Sequence, residues 1–400
     1  MVDAANEPES AAGLALGSVQ FFFTLGWTVY VIYLPELLKS ADLAATWIPV
    51  LLMADQLVFA VMDIGFGMVA DRMAEGYRKL ARLLLLLTTV SAIAFLLLPM
   101  LPRVSPTLLI VVLAIWVFSA SVVRVPTLVL LTKRARAAQQ GRLVIWYAAG
   151  MALASVLSPY LGMILKGTDP RLPFVISALT LLVAVVVLQR VTGTQAPEPR
   201  ADEPQPIAFP AYLPLLLVLA LASGGFQLHA FVNSAAQYLA HAPKENLPWL
   251  MPLLWLGFFV ALVGIAAPIK RFGALSVAAG GILLMAFSSY AAAAVSNLEM
   301  LILTQVLVGV GWAAAFAGLM EQASMFGTRG AEGLFMGSFF SLLAVTSFAR
   351  IGFVSQLLPY NPVLQDVQFT LPAALLLSAG LIAVAYALKR QQARSANARK

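Results

Sequence analysis

With 400 residues, 61% of them hydrophobic and only 11% charged, the chain carries less than half the charge of an ordinary soluble protein, which is about 25%. Cysteine is absent and the two histidines stand apart without metal-ligand spacing, which excludes disulfides, thiolate chemistry and thiolate metal sites; no metal and no cofactor is expected. No Walker-type sequence, nucleophilic triad or paired-carboxylate hydrolase site is present, so the chain is not expected to be an enzyme.

Apolar windows recur from end to end, and they predict twelve spans at 13–38, 46–70, 80–101, 106–131, 142–165, 172–189, 211–240, 248–269, 274–295, 298–322, 332–358 and 370–388. Each is long enough to cross a hydrocarbon core of about 30 Å at about 1.5 Å per residue. Helices rather than barrel strands are implied, because strands would alternate apolar and polar residues. The opening stretch Met1–Ser10 is polar and acidic, unlike the positive leader of a signal peptide, so the first span is expected to stay in the mature protein. Of the 25 Lys and Arg residues, Lys39, Arg103, Lys166, Arg171 and Lys244 fall in one set of loops, Arg124 and Arg350 fall inside spans, and the other eighteen share the opposite side. The positive-inside rule then predicts that both termini are cytoplasmic, in the inner (cytoplasmic) membrane. The net charge of +7 is thus a topology signal, with the lipid bilayer as partner and no nucleic acid.

In span one, Gln20, Thr24, Trp27, Thr28 and Tyr30 form a weak polar stripe. Span two carries Asp55 and Asp63 inside the apolar run and closes on Gly67-Met68-Val69-Ala70-Asp71-Arg72. A carboxylate within a bilayer costs about 2.5–3.5 kcal/mol on insertion scales, so a chain that keeps one is expected to use it. Asp55 and Asp63 are eight residues apart, about 12 Å along the axis and about 80° around it. In span four, Arg124 stands nine residues before Lys133, as Asp63 stands eight before Asp71. That matching depth predicts an Asp63–Arg124 ion pair, either a static brace or a coupling switch. Asp55 has no depth-matched partner in its own half.

The Pro-rich stretch at 191–210 loses all apolar periodicity and reads as a linker between an N-terminal bundle, 1–190, and a C-terminal bundle, 211–400. Span seven carries the clearest polar stripe: His229, Asn233 and Gln237 recur every fourth residue and share one helix face, with Gln227, Ser234 and Tyr238 beside it. Such a stripe suits a cavity wall, where amide, imidazole and indole groups hydrogen-bond and stack on a solute; interhelical hydrogen bonding alone is the competing reading. Span ten offers Trp312 and ends near Glu321, which with Arg329 is assigned to a gate. Arg350 lies in the outer half of span eleven, placed to meet Asp55, an anionic solute or the interface.

The two halves repeat weakly. Gln139-Gln140-Gly141-Arg142 follows span four and Thr328-Arg329-Gly330-Ala331-Glu332-Gly333 follows span ten, and the end of span two, Gly67 to Arg72, has a counterpart in Gly264 to Gly273, which keeps the glycine and a basic pair but has Pro268 in place of the acid. Twelve spans, a central linker and Gly67-x-x-x-Asp71-Arg72 followed by Arg78-Lys79 resemble the major facilitator superfamily along the whole chain. The resemblance implies an all-α fold of twelve transmembrane helices in two pseudo-symmetric six-helix bundles, with the first and seventh helices lining a central cavity. It also implies that Asp71 acts at a cytoplasmic gate near Ala331–Phe335, together with Gly67 and Arg72. Two extra residues, Ala74 and Glu75, depart from the motif. A second, partial resemblance, to the glycoside-pentoside-hexuronide cation symporter branch, rests on the Asp63 to Asp71 spacing and the Arg124-Val125-Pro126 step. That branch has an acid where Arg124 stands, and a guanidinium there opposes a sodium site.

The expected function is a secondary active transporter, a symporter in form, moving a small organic solute by alternating access with H+ or Na+ as coupling ion. A proton-driven exporter of amphipathic compounds and a non-transporting membrane scaffold or assembly factor remain open. A monomer is expected.

Overall fold

The computed structural model describes residues 7–73, 77–132, 137–193, 209–327 and 331–398. Among the described residues twelve helices are long and apolar enough to cross a membrane: α1 (Ser10–Ser40), α2 (Trp47–Arg72), α3 (Arg78–Met100), α4 (Pro106–Val129), α5 (Gly141–Ile164), α6 (Arg171–Thr192), α7 (Tyr212–Leu239), α8 (Lys244–Gly264), α9 (Ala274–Ala294), α10 (Leu298–Gly327), α11 (Glu332–Tyr360) and α12 (Leu371–Gln392). No strand occurs among the described residues. The chain is an all-α multi-pass membrane protein, the one open-ended architecture in which each segment satisfies its own backbone in lipid.

Two helix ends depart from the sequence expectation for reasons the residues show. Span eight was expected to run to 269, but α8 stops at Gly264 and a separate helix, Ala266–Phe272, follows. Pro268 has no N–H to return to the Gly264 carbonyl, so the helix breaks there. Span ten was expected to close at 322, yet α10 continues to Gly327. Hydropathy marks where apolar surface ends, and Glu321 and Gln322 simply extend the helix beyond it.

The described residues group into two compact units. The first draws on Met1–Gln205 and Gly327–Ile351, the second on Pro206–Phe326 and Gly352–Lys400. Most of the linker expected at 191–210, the gate residue Arg329, and Ala74 and Glu75 lie outside the described residues.

In the first unit α1 packs along α5 and α6, and an aromatic stack fills the space between helices. Trp116 of α4 lies 4.7 Å from the Tyr30 ring, 4.8 Å from Phe95 and 5.9 Å from Trp27, and Phe95 continues the stack onto Phe174 at 4.4 Å. Offset and tilted rings at these separations add to their burial energy. The start of α11 joins this unit through backbone-to-backbone packing: a Cβ on Gly67 would strike the Gly333 carbonyl, and one on Gly337 would strike the Asp63 carbonyl. Only glycine permits that approach.

In the second unit α12 packs along α7 and α9, and Trp312 stacks on Phe226 at 4.2 Å with the rings nearly parallel. Here α7 contains a π-helical turn, His229–Asn233, and the end of α11 contains another, Phe353–Leu357. In the first unit α4 is interrupted by a 3-10 turn, Ser121–Val123.

Candidate functional site

Pro126 removes a backbone donor, and the chain answers with the tighter turn at Ser121–Val123, closed by the Arg124 N–H on the Ser121 carbonyl at 3.2 Å. The Val123 carbonyl at this joint accepts from the Thr127 hydroxyl and from Gln20 Nε2 of α1. Gln20 was expected to face a solute; it is instead buried and pins the joint, because a carbonyl beside a helix break needs donors that a regular helix would supply.

Arg124 leaves this joint toward α2. Its Nη2 lies 3.2 Å from Asp63 Oδ2, forming the ion pair that depth matching predicted. Asp63 is fully buried while the Arg124 side chain stays 13% exposed. The guanidinium is flanked by two rings, with its central carbon 4.7 Å from the Phe59 centroid and 5.7 Å from that of Phe340 on α11. Neither Asp63 oxygen has a partner of hydrogen-bond geometry. Tyr147 of α5 is buried and packs at 5.2 Å on Phe340, the ring that also lies against the guanidinium.

Eight residues along α2, Asp55 is 5% exposed and accepts a hydrogen bond from the Tyr30 hydroxyl at 2.8 Å. This corrects two expectations. Asp55 does have a partner in its own half, and Tyr30 is no cavity residue but a fully buried member of the aromatic stack. A phenol is neutral, so counting charges along the helices could not reveal it. Trp27, which stacks on Trp116, and Thr24 are half-buried on the same helix. Arg350 is half-buried on α11.

At the basic end of α2, Asp71 reaches the first turn of α11. Its Oδ1 accepts from the Gly333 N–H at 2.8 Å and its Oδ2 from the Leu334 N–H at 2.9 Å. Both contacts fall within the Ala331–Phe335 stretch named from resemblance. Arg72 is exposed, and Glu321 is half-buried on α10 in the second unit.

The polar stripe of α7 is buried and turned into a network. Ser289 of α9 donates to His229 Nδ1 at 2.9 Å, which leaves Nε2 as the protonated nitrogen, 3.0 Å from Gln305 Oε1 of α10. That oxygen also accepts from Ser234 at 3.1 Å, and Gln305 Nε2 donates to Gln237 at 2.9 Å. Asn233 donates to the Gln368 carbonyl at 2.8 Å. His229 and its neighbours were expected to line a cavity; here they bond helix to helix, with a π-helical turn at His229–Asn233. Gln227 lies against Ser223, and Trp312 is buried under Phe226. Asn233 Oδ1 and Gln237 Nε2 are buried without a hydrogen-bond partner.

Sequence reasoning missed Gln305, Ser289, Phe59 and Phe340. Gln305 carried a usable signal, as the lone amide in the apolar middle of α10. Among the described residues no group of three His, Asp or Glu side chains is placed to hold a metal ion.

The family model described as Major Facilitator Superfamily matches residues 16–349. No curated protein sequence matches the chain. Among solved structures, the human organic anion transporter MFSD10 (TETRAN) is similar, with a TM-score of 0.72 at 14% identity, covering 94% of this chain and 99% of that one. A bacterial homologue of the iron transporter ferroportin in its outward-facing state gives a TM-score of 0.73 at 13% identity, with 94% and 99% coverage. At such identities the likeness is one of fold.

Proposed function

Since the chain belongs to the Major Facilitator Superfamily and is a membrane transporter, not an enzyme, we propose that it is a proton-coupled secondary active transporter of a small organic solute, working by alternating access. Its basic end faces the cytoplasm in this reading, and the Asp71 contact with α11 serves as a cytoplasmic gate. The scaffold alternative is set aside by family membership.

The observation that carries the proton reading is Asp55. It is a carboxyl group buried in a membrane span whose hydrogen-bond donor is a phenol, not a cation. Charge at such a place is costly, so gain or loss of a proton there bears directly on which arrangements of α1 and α2 are accessible. Sodium is disfavoured because it needs several converging oxygen ligands, whereas Asp63 faces a guanidinium and Asp55 is accompanied by one phenol.

The test is uptake of a panel of small organic solutes into proteoliposomes under an imposed proton or sodium gradient, with Asp55→Asn alongside. A proton gradient drives accumulation, and Asp55→Asn keeps counterflow while losing accumulation. Accumulation at the wild-type rate in Asp55→Asn, or driven by sodium alone, overturns the reading.

A further inference from the structure

Within the first unit, α1, α3, α4 and α6 enclose a cleft of about 320 Å³, part of it open to the surroundings. We infer that this cleft is a binding site for a small neutral alcohol dissolved in the lipid, whose hydroxyl pairs with Ser91 and whose apolar body lies against the rings of Phe23, Phe95 and Trp116. The site does not rest on the transport reading above.

Small residues keep the cleft open: Gly26, Ala92, Ala120 and Ala178 line it, one from each helix. Protein interiors otherwise pack at close to crystal density, and a gap forfeits the contacts that would fill it. Helix packing does not demand glycine at 26, where an added Cβ would meet only the Ser177 Cβ, at an ordinary 3.8 Å. At Gly13 and Gly17 of the same helix a Cβ would strike Trp146. Gly26 therefore leaves room where the packing would accept a side chain.

Ser91 is a second and independent sign of a guest. Thr88 and Thr89, just before it on α3, turn their hydroxyls back to the Leu84 and Leu85 carbonyls, the usual refuge of a hydroxyl within a helix. Ser91 lines the cleft, is 2% exposed and has no hydrogen-bond partner among the described residues. A buried hydroxyl without a partner is costly. A guest that exchanges one hydrogen bond with it removes that cost.

The lining selects the chemistry of the guest. No charged residue faces the cleft, and Gly26 and Ser91 lie near the middles of α1 and α3, where charge is most expensive. The guest is therefore neutral. Three rings favour an apolar, polarisable body, and the only polar side chains on the lining are the hydroxyls of Ser91 and Ser177. One hydroxyl on the guest suffices, and further polar groups would go unmet. Trp116 also lies 4.7 Å from the Tyr30 ring, so the guest rests against the stack that carries the Tyr30–Asp55 contact.

The test titrates the full chain in lipid nanodiscs with tribromoethanol, whose bromines quench tryptophan fluorescence. Bromoform serves as the counterpart without a hydroxyl and tribromoacetate as the charged one, compared at equal concentration in the membrane. Tribromoethanol quenches with saturation, and the saturating part is missing from Trp116→Phe. Bromoform binds about three- to tenfold more weakly, the worth of one net hydrogen bond, and tribromoacetate shows no saturating part. Ser91→Ala brings tribromoethanol down to the level of bromoform. Gly26→Leu fills the cleft and abolishes saturation. If that variant does not fold, Gly26→Ala, whose methyl group has room, weakens binding several-fold while Gly65→Ala does not. Quenching that rises in proportion to concentration without saturating overturns the site, as does a saturating part that survives in Trp116→Phe or in the Gly26 variants. Equal binding of bromoform or tribromoacetate by the wild type, or an unchanged preference for the alcohol in Ser91→Ala, overturns the assignment of the guest.

Discussion

Asp71 and Gly333 are joined twice over: the Asp71 carboxylate accepts the Gly333 N–H at 2.8 Å, and the Gly67 backbone one turn earlier lies directly against Gly333. The first N–H groups of a helix have no acceptor within the helix and lie at its positive end. The Asp71 carboxylate supplies that acceptor for α11, and the absence of side chains on Gly67 and Gly333 lets α2 come close enough to deliver it.

Asp71→Asn keeps the shape of the side chain but removes its charge and turns one of its two oxygens into a donor. The expected cost is about 1–2 kcal/mol, the range for a charge-assisted bond at a helix start. The amides of Gly333 and Leu334 should exchange with deuterium several-fold faster, while the middle of α11 does not change. Equal exchange in the variant would mean that the clasp contributes nothing to holding α11.

Gly67→Ala and Gly65→Ala separate close packing from simple helix propensity. A Cβ at Gly67 meets backbone, which cannot rotate away, whereas one at Gly65 meets nothing within 4 Å. Gly67→Ala should destabilise the protein by about 1–3 kcal/mol through overpacking. Gly65→Ala should be neutral or stabilising by up to about 1 kcal/mol, as expected when alanine replaces glycine in a helix. Thermal unfolding in a fixed detergent compares the two, and equal midpoints would remove the α2–α11 contact as an explanation.

The spans and the Asp63–Arg124 pair were legible from sequence for one physical reason: lipid makes both apolar length and buried charge expensive to get wrong. A charge in an apolar window must pair, and depth can be counted from the helix ends. Tyr30 was not legible as the partner of Asp55, because a phenol carries no charge and its hydroxyl projects from a ring that any aromatic core would accept. Gln20 was misread for a related reason. Its polar end looked available to a solute, and only the joint beside Pro126 shows which backbone carbonyl it serves. The one-face reading of the α7 stripe assumed regular α-helical spacing, and the π-helical turn at His229–Asn233 has no composition signal that would reveal it.

Tyr30→Phe and Asp55→Asn test whether the Tyr30–Asp55 contact supports the fold as well as the proposed coupling. Removing the hydroxyl leaves a buried carboxyl oxygen without its donor, for an expected loss of about 1–3 kcal/mol. Asp55→Asn retains an oxygen that can accept from Tyr30, so its loss should be smaller than that of Tyr30→Phe. Unfolding midpoints in the same nanodiscs give the order. If Asp55→Asn proves the less stable of the two, its transport defect could be attributed to damage to the fold, and the assignment of coupling to Asp55 would lose its control.

The His229–Gln305 contact yields the largest stability prediction in the second unit. Gln305 serves three partners, accepting from His229 and Ser234 and donating to Gln237; His229 serves two, Gln305 and Ser289. Gln305→Leu fills the same volume but leaves His229 Nε2–H, the Ser234 hydroxyl and the Gln237 oxygen without partners, each unmet group costing about 1–3 kcal/mol when buried. His229→Leu takes the acceptor from the Ser289 hydroxyl alone, since Gln305 Oε1 still accepts from Ser234, and should cost less. Since the two residues share a bond, the double variant should be less destabilised than the sum of the singles, with a coupling of about 0.5–3 kcal/mol. Because Gln305 also bonds Ser234 and Gln237, the double variant should still be less stable than His229→Leu alone. Strict additivity in the cycle would mean that the imidazole and the amide do not bond, and would reopen the α7 stripe as a surface available to a solute.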